Sequence, residues 1–299
     1  MKIVLTGVAG VLGAPLCRVL TDIGYEVRGV DRKTREDLPI TVEVADLLDR
    51  ELCYELLQGA DAVVHLANHS SEHLADKQRL LNENVTMNTN VFQAARELGI
   101  KTVVFASSIQ AIGAGKEQGD ETVPTLAYLP IDGELPAKPT NVYGLSKQMS
   151  EEMLRYYGRE AEMNCVALRF PFLARNQKHA NRFLHGMSTD KINEVWSYLS
   201  INDACALIVA FLHNPLPGFR IYCPAARDNG VAQPPAQLIE RYFPTTPLKQ
   251  PLQTIDSLID ISRICEETGW EPQDQWILPI ESKSVVETQN SNHHPMMSV

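Results

Sequence analysis

Through about the first 170 residues, the chain alternates short apolar runs with longer amphipathic stretches. Residues 102–106, Thr-Val-Val-Phe-Ala, are typical of a strand buried on both faces, whereas residues 84–98 carry apolar side chains at helical spacing. Strands that alternate with helices predict a parallel sheet covered by helices on both faces, so we predict an α/β fold with a doubly wound parallel sheet. The predicted strands are residues 3–5, 26–31, 41–44, 62–66, 102–106, 164–169 and 220–223, and the predicted helices are residues 12–23, 50–57, 84–98, 143–157, 202–212, 234–243 and 261–268.

Composition narrows the class of protein. Apolar residues make up 44% of the 299 residues and charged residues 21%, which is enough apolar material for a substantial core. The net charge of -10 disfavours a nucleic-acid surface, which needs a basic stripe, and no apolar run approaches the length of a membrane span. The six cysteines form no C-x-x-C pair, so neither a metal site nor a disulfide framework is predicted. Because the first residues also lack a signal-peptide layout, we expect a cytoplasmic protein with reduced thiols.

A glycine-rich turn lies between the first predicted strand and the first predicted helix. Gly7, Gly10 and Gly13 follow the spacing G-x-x-G-x-x-G, which differs from the commoner G-x-G-x-x-G fingerprint. Glycine lets the backbone turn sharply and approach a ligand closely, and a helix N-terminus offers free N–H groups and partial positive charge. The turn therefore predicts a binding site for the pyrophosphate of a dinucleotide.

Asp31 ends the second predicted strand and bears on the choice of dinucleotide. A carboxylate at this position accepts both ribose hydroxyls of adenosine and repels a 2′-phosphate, which favours NAD over NADP. Arg32 follows directly and offers a positive charge that can receive a 2′-phosphate instead. We therefore predict NAD as the coenzyme and keep NADP as the alternative.

Two further strand ends point to the same ligand. Asp46 and Leu47 follow the third predicted strand, where they can meet the adenine amine and cover a face of the ring; Asp46 can equally be the N-cap of the next helix. Leu66 and Ala67 close the fourth predicted strand, where small side chains let a dinucleotide lie across the carboxyl edge of the sheet.

The stretch Tyr143-Gly144-Leu145-Ser146-Lys147 carries the candidate chemistry. Tyr143 and Lys147 are four residues apart and lie on one face of the predicted helix. A free tyrosine is a poor base at neutral pH, but a lysine ammonium and a nicotinamide cation nearby are both expected to lower its pKa. The phenol could then take a proton from a carbinol as hydride leaves for the nicotinamide. Ser107 and Ser108 follow the fifth predicted strand, where a hydroxyl can bond the reacting oxygen.

Taken together, these motifs resemble those of the extended short-chain dehydrogenase/reductases, in the NAD-dependent epimerase/dehydratase branch. The resemblance runs from about residue 1 to residue 280 and implies a Rossmann-type sheet with a small C-terminal substrate lobe. We expect an NAD-binding domain at residues 1–171 with returns at about 201–224, a substrate lobe at 172–200 and 225–287, and a disordered tail at 288–299. The matching segments are 6–13 (TGVAGVLG), 31, 46–47, 65–67, 84–85, 105–113 (FASSIQAIG), 129–147, 168–171 (LRFP), 197–205 and 262–272.

The same resemblance implies roles for individual residues. Ser108 takes the place of the catalytic hydroxyl, Tyr143 that of the acid/base, and Lys147 that of its partner. The resemblance also implies a homodimer formed through the helices at 84–98 and 143–157. The expected coenzyme contacts are Gly7, Gly10, Val11, Leu12, Gly13, Asp31, Arg32, Asp46, Leu47, Leu66, Ala67, Asn84, Ser107, Tyr143, Lys147 and Pro171.

Departures from the family pattern narrow the reaction. Sugar 4,6-dehydratases place an Asp-Glu pair directly after the catalytic hydroxyl, and Ile109-Gln110 stand there in this chain, which argues against dehydration. The stretch from Arg169 to Asp203 is also short for a nucleotide pocket, which suggests a smaller sugar or a sugar acid. Among the subgroups, the chain is most similar to the uronate dehydrogenases. The candidate substrate contacts are Ser70, Ser108, Gln110, Asn141, Arg175 and His179.

Three readings of function remain. The first is an NAD-dependent dehydrogenase acting on a carbinol of a sugar or sugar acid. The second is a nucleotide-sugar epimerase that retains its NAD, which uses the same three catalytic residues. The third is a non-catalytic NAD-binding sensor, which has no need for the serine, tyrosine and lysine together.

Overall fold

A computed structural model of the chain describes residues 1–70, 76–114, 123–180, 192 and 194–276. Seven strands form one parallel sheet in the order β3-β2-β1-β4-β5-β6-β9, and β7 and β8 pair in parallel as a separate two-stranded sheet. This confirms the predicted doubly wound α/β fold. The strands are β1 (Lys2–Thr6), β2 (Glu26–Asp31), β3 (Glu43–Val44), β4 (Ala62–His65), β5 (Thr102–Ser108), β6 (Asn164–Phe170), β7 (Phe172–Ala174), β8 (Tyr198–Ser200) and β9 (Gly218–Tyr222).

Helices connect and cover these strands. The two larger apolar clusters of the core lie apart, one containing side chains of α1 and α5 and the other containing side chains of α2, α3 and α4. Each cluster also includes side chains of the central strands, because successive strand residues point to opposite faces of the sheet. The described helices are α1 (Gly13–Asp22), α2 (Arg50–Leu57), α3 (Lys77–Glu97), α4 (Val142–Glu160), α5 (Ile201–His213), α6 (Pro235–Tyr242) and α7 (Ser262–Thr268).

Element boundaries show where local patterns were insufficient. The third predicted strand, 41–44, is reduced to a two-residue edge strand, and the helix predicted at 84–98 begins at Lys77, after the N-cap Asp76. Neither the 3-10 helix Ile109–Ile112 nor the β7–β8 pair was predicted from the sequence. The predicted tail at 288–299 lies outside the described residues.

The C-terminal segments attach to the same core as the first helix. Trp196, Leu238 and Ile259 share one apolar cluster with Leu16 of α1. Buried Asp203 of α5 accepts hydrogen bonds from the backbone N–H groups of residues 273 and 274 at 2.8 and 3.1 Å. These contacts hold the chain after α7 beside α5. Within the described residues, no helix is both long and apolar enough to cross a bilayer.

Candidate active site

The turn between β1 and α1 is tightly built around its glycines. Gly7 has φ +72°, in the left-handed region that favours glycine. A Cβ added to Gly13 would lie 2.1 Å from the Gly7 carbonyl oxygen, so any side chain there would displace the turn. Leu12 precedes α1 without a side-chain cap, and no acidic residue occupies the first turn. The N-terminal N–H groups of α1 therefore form a cradle suited to an anion.

Two adjoining pockets lie along the carboxyl edge of the sheet. The smaller, of about 160 Å³, extends from the glycine turn toward Asp31, Ala45 and Leu47. The larger, of about 410 Å³, extends from the same turn toward Ser108, Tyr143 and Lys147. Gly7, Gly10, Leu66 and Asn68 line both pockets, so the two form one elongated cleft across the sheet.

Most of the predicted coenzyme contacts line this cleft. Two do not: Asp46 is exposed and accepts from the Leu48 N–H, and Asn84 is fully buried. Asn84 bonds the backbone of His69 in both directions and donates to Ser146, so it braces the strand end instead of facing the cleft. The residues that do line it are Gly7, Gly10, Val11, Leu12, Gly13, Asp31, Arg32, Leu47, Leu66, Ala67, Ser107, Tyr143, Lys147 and Pro171.

Asp31 is fixed by the glycine turn. Its carboxylate accepts from the Ala9 N–H at 3.0 Å and from the Lys33 N–H at 3.2 Å. Asp31 lines the smaller pocket, and each of its oxygens can accept a further hydrogen bond, because a carboxylate oxygen accepts more than one. Arg32 lines the same pocket and lies 3.4 Å from His69 Nδ1. The pocket therefore presents one negative and one positive group side by side.

Close packing of α4 brings the candidate catalytic groups together. The N-cap Asn141 accepts from the Gly144 N–H and donates to Gln110 Oε1 at 2.9 Å. A Cβ on Gly144 would lie 2.3 Å from the Gln110 carbonyl oxygen, so glycine permits the approach of α4 to the turn after β5. Ser108 caps that turn by accepting from the Gln110 N–H. This arrangement places Ser108 and Tyr143 in the same pocket.

The phenol of Tyr143 is held in its neutral form. Burial, followed by the negative charge of Glu194, raises the pKa of Tyr143, and a hydrogen bond with Ser108 opposes that shift. Lys147 therefore does not lower this pKa below its ordinary value in the protein without coenzyme, because burial removes the solvation of the phenolate. The expected effect of a nicotinamide cation stays a prediction. Lys147 Nζ lies 5.4 Å from the centre of the Tyr143 ring. Burial also lowers the pKa of Lys147 to about 7, and the charge of Glu151 opposes that shift.

The predicted substrate contacts divide into two groups. Ser70, Ser108 and Gln110 line the larger pocket. Asn141, Arg175 and His179 are not among its lining residues. Asn141 caps α4, Arg175 is exposed, and His179 packs its ring 4.9 Å from Phe172. A contact of Arg175 or His179 with substrate stays a prediction.

Sequence reasoning missed Asn68 and Glu194. Asn68 follows β4 by three residues and lines both pockets, where it accepts from Lys147 Nζ at 2.7 Å. Glu194 reaches the pocket from a turn in which residues 194, 195 and 196 have φ of 53°, 47° and 54°. Three consecutive left-handed non-glycine residues are unfavourable locally, and the burial of Val195 and Trp196 holds them. Only the strand-end position of Asn68 could have signalled a site.

Comparisons with known proteins agree with this geometry. The sequence model of the NAD dependent epimerase/dehydratase family matches residues 3–218. The chain is 32% identical to a uronate dehydrogenase of Pseudomonas syringae pv. tomato over 173 residues, covering 56% of this chain and 58% of that protein. It is 33% identical to an NAD-dependent glucose-6-phosphate dehydrogenase of Haloferax volcanii over 180 residues, covering 56% and 66%. The match thus spans less than two thirds of either relative.

Among solved structures, the chain is similar to a UDP-galactose 4-epimerase. That crystal structure has a TM-score of 0.64 and 25% identity, covering 92% of this chain and 94% of the epimerase chain. A short-chain dehydrogenase/reductase superfamily protein from Agrobacterium tumefaciens with bound NAD has a TM-score of 0.68 at 21% identity, covering 92% and 94%. At that identity the second likeness concerns the fold alone.

Proposed function

The chain belongs to the NAD dependent epimerase/dehydratase family, and we propose that it is an NAD-dependent oxidoreductase acting at a carbinol of a sugar or sugar acid. One observation carries this proposal: Ser108, Tyr143 and Lys147 line the same cleft as the glycine turn. A binding module would need the turn but not a serine, tyrosine and lysine gathered beside it. This argues against the non-catalytic sensor.

The residues of the cleft fit a dinucleotide. The uncapped N-terminus of α1 and the turn that excludes a Cβ at Gly13 suit the pyrophosphate, and Asp31 suits the adenosine ribose. NAD, when bound, accepts a hydride or returns one. We propose NAD over NADP because Asp31 lines the pocket and its carboxylate repels a 2′-phosphate, although Arg32 beside it moderates that repulsion.

Side chains of the protein carry out the proton transfer. The Tyr143 phenol, neutral because of burial and the Glu194 charge, is poised to donate its proton to a substrate oxygen in reduction. In oxidation the phenol must first release that proton to solvent, so that the phenolate can take the proton of the carbinol. Ser108, which hydrogen-bonds the phenol, stabilises the phenolate charge. Lys147 lines the same larger pocket and contributes its ammonium group there. Ser70 and Gln110 offer polar groups to the substrate hydroxyls.

The sugar or sugar acid is supported by relatives, because the described residues that line the larger pocket include no arginine to meet a carboxylate. Uronate dehydrogenase and NAD-dependent glucose-6-phosphate dehydrogenase are the names of two relatives that share over 30% identity with this chain. Contact between an arginine and a substrate carboxylate is predicted here for Arg175. An epimerase that retains NAD is the second candidate, favoured by the likeness to UDP-galactose 4-epimerase over nearly the whole chain.

Substitution of Tyr143 tests the reaction. Tyr143→Phe removes the hydroxyl and keeps the ring, so we expect turnover to be abolished while NADH still binds, measured by its fluorescence. The assay supplies free sugars, sugar acids and nucleotide sugars and records NADH formation at 340 nm, a general wavelength for the reduced nicotinamide. Net NADH from a free sugar acid favours the dehydrogenase, and an epimer formed without net NADH favours the epimerase. Full activity of Tyr143→Phe would contradict the mechanism.

We also propose an oligomeric state, a cellular location and a division into domains. A homodimer through α3 and α4 is supported by apolar side chains that α4 leaves exposed, Leu145, Met149 and Tyr156, and light scattering tests it. A cytoplasmic location is supported by six cysteines that form no disulfide. We retain the division into an NAD-binding domain at 1–171 with returns at 201–224 and a substrate lobe from 172–200 and 225–287.

A further inference from the structure

Lys147 is held by two oxygen acceptors at the junction of the two pockets. Its Nζ donates to Asn68 Oδ1 at 2.7 Å and to the Ala106 carbonyl oxygen at 2.7 Å. The ammonium also lies 4.6 Å from the centre of the Phe105 ring. An ammonium has three N–H bonds, and these two described acceptors engage two of them. Because Lys147 is buried but lines the larger pocket, the remaining N–H is within reach of a ligand there.

Asn68 is itself fixed by a second amide. Asn68 Nδ2 donates to Asn88 Oδ1 at 2.7 Å, and Asn88 Nδ2 donates to Asn68 Oδ1 at 3.3 Å. Asn88 also donates to Ser150 Oγ at 2.6 Å, and Ser150 donates to the Ser146 carbonyl oxygen. These donors and acceptors determine which terminal atom of each side-chain amide is the oxygen and which is the nitrogen. The Asn68 oxygen therefore faces the lysine.

The chain of contacts continues to the glycine turn. His65 Nε2 lies 2.8 Å from Asn88 Oδ1, and His65 Nδ1 lies 2.6 Å from Thr6 Oγ1, the residue before Gly7. Burial lowers the pKa of His65 to about 3, so the ring is neutral and has one donor and one acceptor. Nε2–H then donates to Asn88, and the Thr6 hydroxyl donates to Nδ1. His65 thus orients the amide pair.

We propose that Asn68 is a positioning residue for Lys147, which fixes the ammonium at the junction of the two pockets through an amide oriented by Asn88, His65 and Thr6. The proposal rests on the proposed function for its catalytic meaning. It adds a hydrogen bond that connects Asn68, which lines both pockets, to Lys147 of α4. Replacing the amide oxygen removes an acceptor from a buried charge, which is costly in the protein interior.

Two substitutions of Asn68 have opposite expected effects on Lys147. Asn68→Ala removes the acceptor, so the charged lysine is less stable and its pKa falls below the wild-type value. Asn68→Asp puts a negative charge beside the lysine, so its pKa rises above that value. Among the described residues, the titratable groups that interact with Lys147 are Tyr143 and Glu151 of α4 and His65 of β4, and the variants keep all three.

The measurement is an NMR pH titration of lysines labelled with ¹³C at Cε, on full-length protein without added coenzyme. The Lys147 signal is assigned by its loss in Lys147→Met. Asn164→Ala, which removes a half-buried asparagine at the start of β6, is the matched control and should leave the titration unchanged. NADH fluorescence titrations at pH 7 should show several-fold weaker binding to Asn68→Ala than to wild type.

An unchanged Lys147 titration in Asn68→Ala, or a shift in the same direction in Asn68→Ala and Asn68→Asp, would overturn the proposal. If Asn68→Ala does not fold, Asn68→Ser is titrated in its place, with the pKa again expected below wild type. The NMR readout needs no turnover. Failure of every sugar as substrate would therefore refute the proposed function and leave the assignment of Asn68 intact, whereas unaltered titrations would refute the assignment alone.

Discussion

The buried ion pair between Glu151 of α4 and Arg169 of β6 gives a prediction whose size follows from the structure. Arg169 donates to both carboxylate oxygens, at 3.0 and 2.8 Å, and the side chains are only 1% and 4% exposed for Glu151 and Arg169. Ser107, next to the candidate catalytic serine, donates to the same carboxylate at 2.5 Å. Arg169 also donates to the carbonyl oxygens of Gly133 and Leu135. The pair therefore ties α4, β5, β6 and the loop before α4 together.

Glu151→Gln keeps the shape of the side chain and removes its charge. Arg169 is then a buried charge without a counter-ion, and breaking such a pair from one side costs about 3 kcal/mol or more. At roughly 2 °C per kcal/mol for a chain of this size, the melting midpoint should fall by roughly 6 °C. The large size comes from the burial of both groups, because exposed ion pairs contribute little.

The assay is circular dichroism on four proteins: wild type, Glu151→Gln, Arg169→Met and the double variant. Thermal unfolding gives the melting midpoints, and urea unfolding gives the free energies for the cycle. The hydrogen bonds of Arg169 to Gly133 and Leu135 are lost in both variants that lack Arg169, so they cancel in the cycle. We expect a coupling energy of about 2 kcal/mol between the two sites. Glu160→Gln, at the exposed end of α4, is the control and should leave the midpoint unchanged. If the free-energy cost of the double variant equals the sum of the two single costs, the ion pair is not the cause of the destabilisation.

Two predictions concern the cleft. Asp31→Ala should weaken NAD binding more than NADP binding in fluorescence titrations with the reduced coenzymes, because only NAD offers a free 2′-hydroxyl to the carboxylate; equal losses for the two coenzymes would contradict the assignment. Glu194→Gln removes the charge that adds to burial in raising the pKa of Tyr143, so the phenolate forms at lower pH and the rising limb of kcat/KM for oxidation should move to lower pH. A limb that stays in place, or moves to higher pH, would show that Glu194 does not act on the phenol.

The sequence by itself determined the order of strands and helices and the chemistry at the strand ends. The apolar runs at β1, β4 and β5 can be satisfied only inside a covered parallel sheet, and parallel strands bring their carboxyl ends to one edge. Gly7, Asp31 and Ser108 lie at or just after strand ends and could therefore be assigned to this edge without coordinates. Helical spacing places Tyr143 and Lys147 on one face of α4, and the family resemblance implied that this face meets the same cleft.

Only the tertiary structure decided what surrounds these groups. Asn68 meets Lys147 across 79 positions of sequence, and Glu194 reaches Tyr143 from a left-handed turn that no local preference favours. The direction of the Tyr143 pKa also depended on packing, because burial removes the solvation of the phenolate, an effect that sequence spacing does not report. Composition and periodicity thus place functional groups on elements, whereas burial and contacts between distant segments set their charge and orientation.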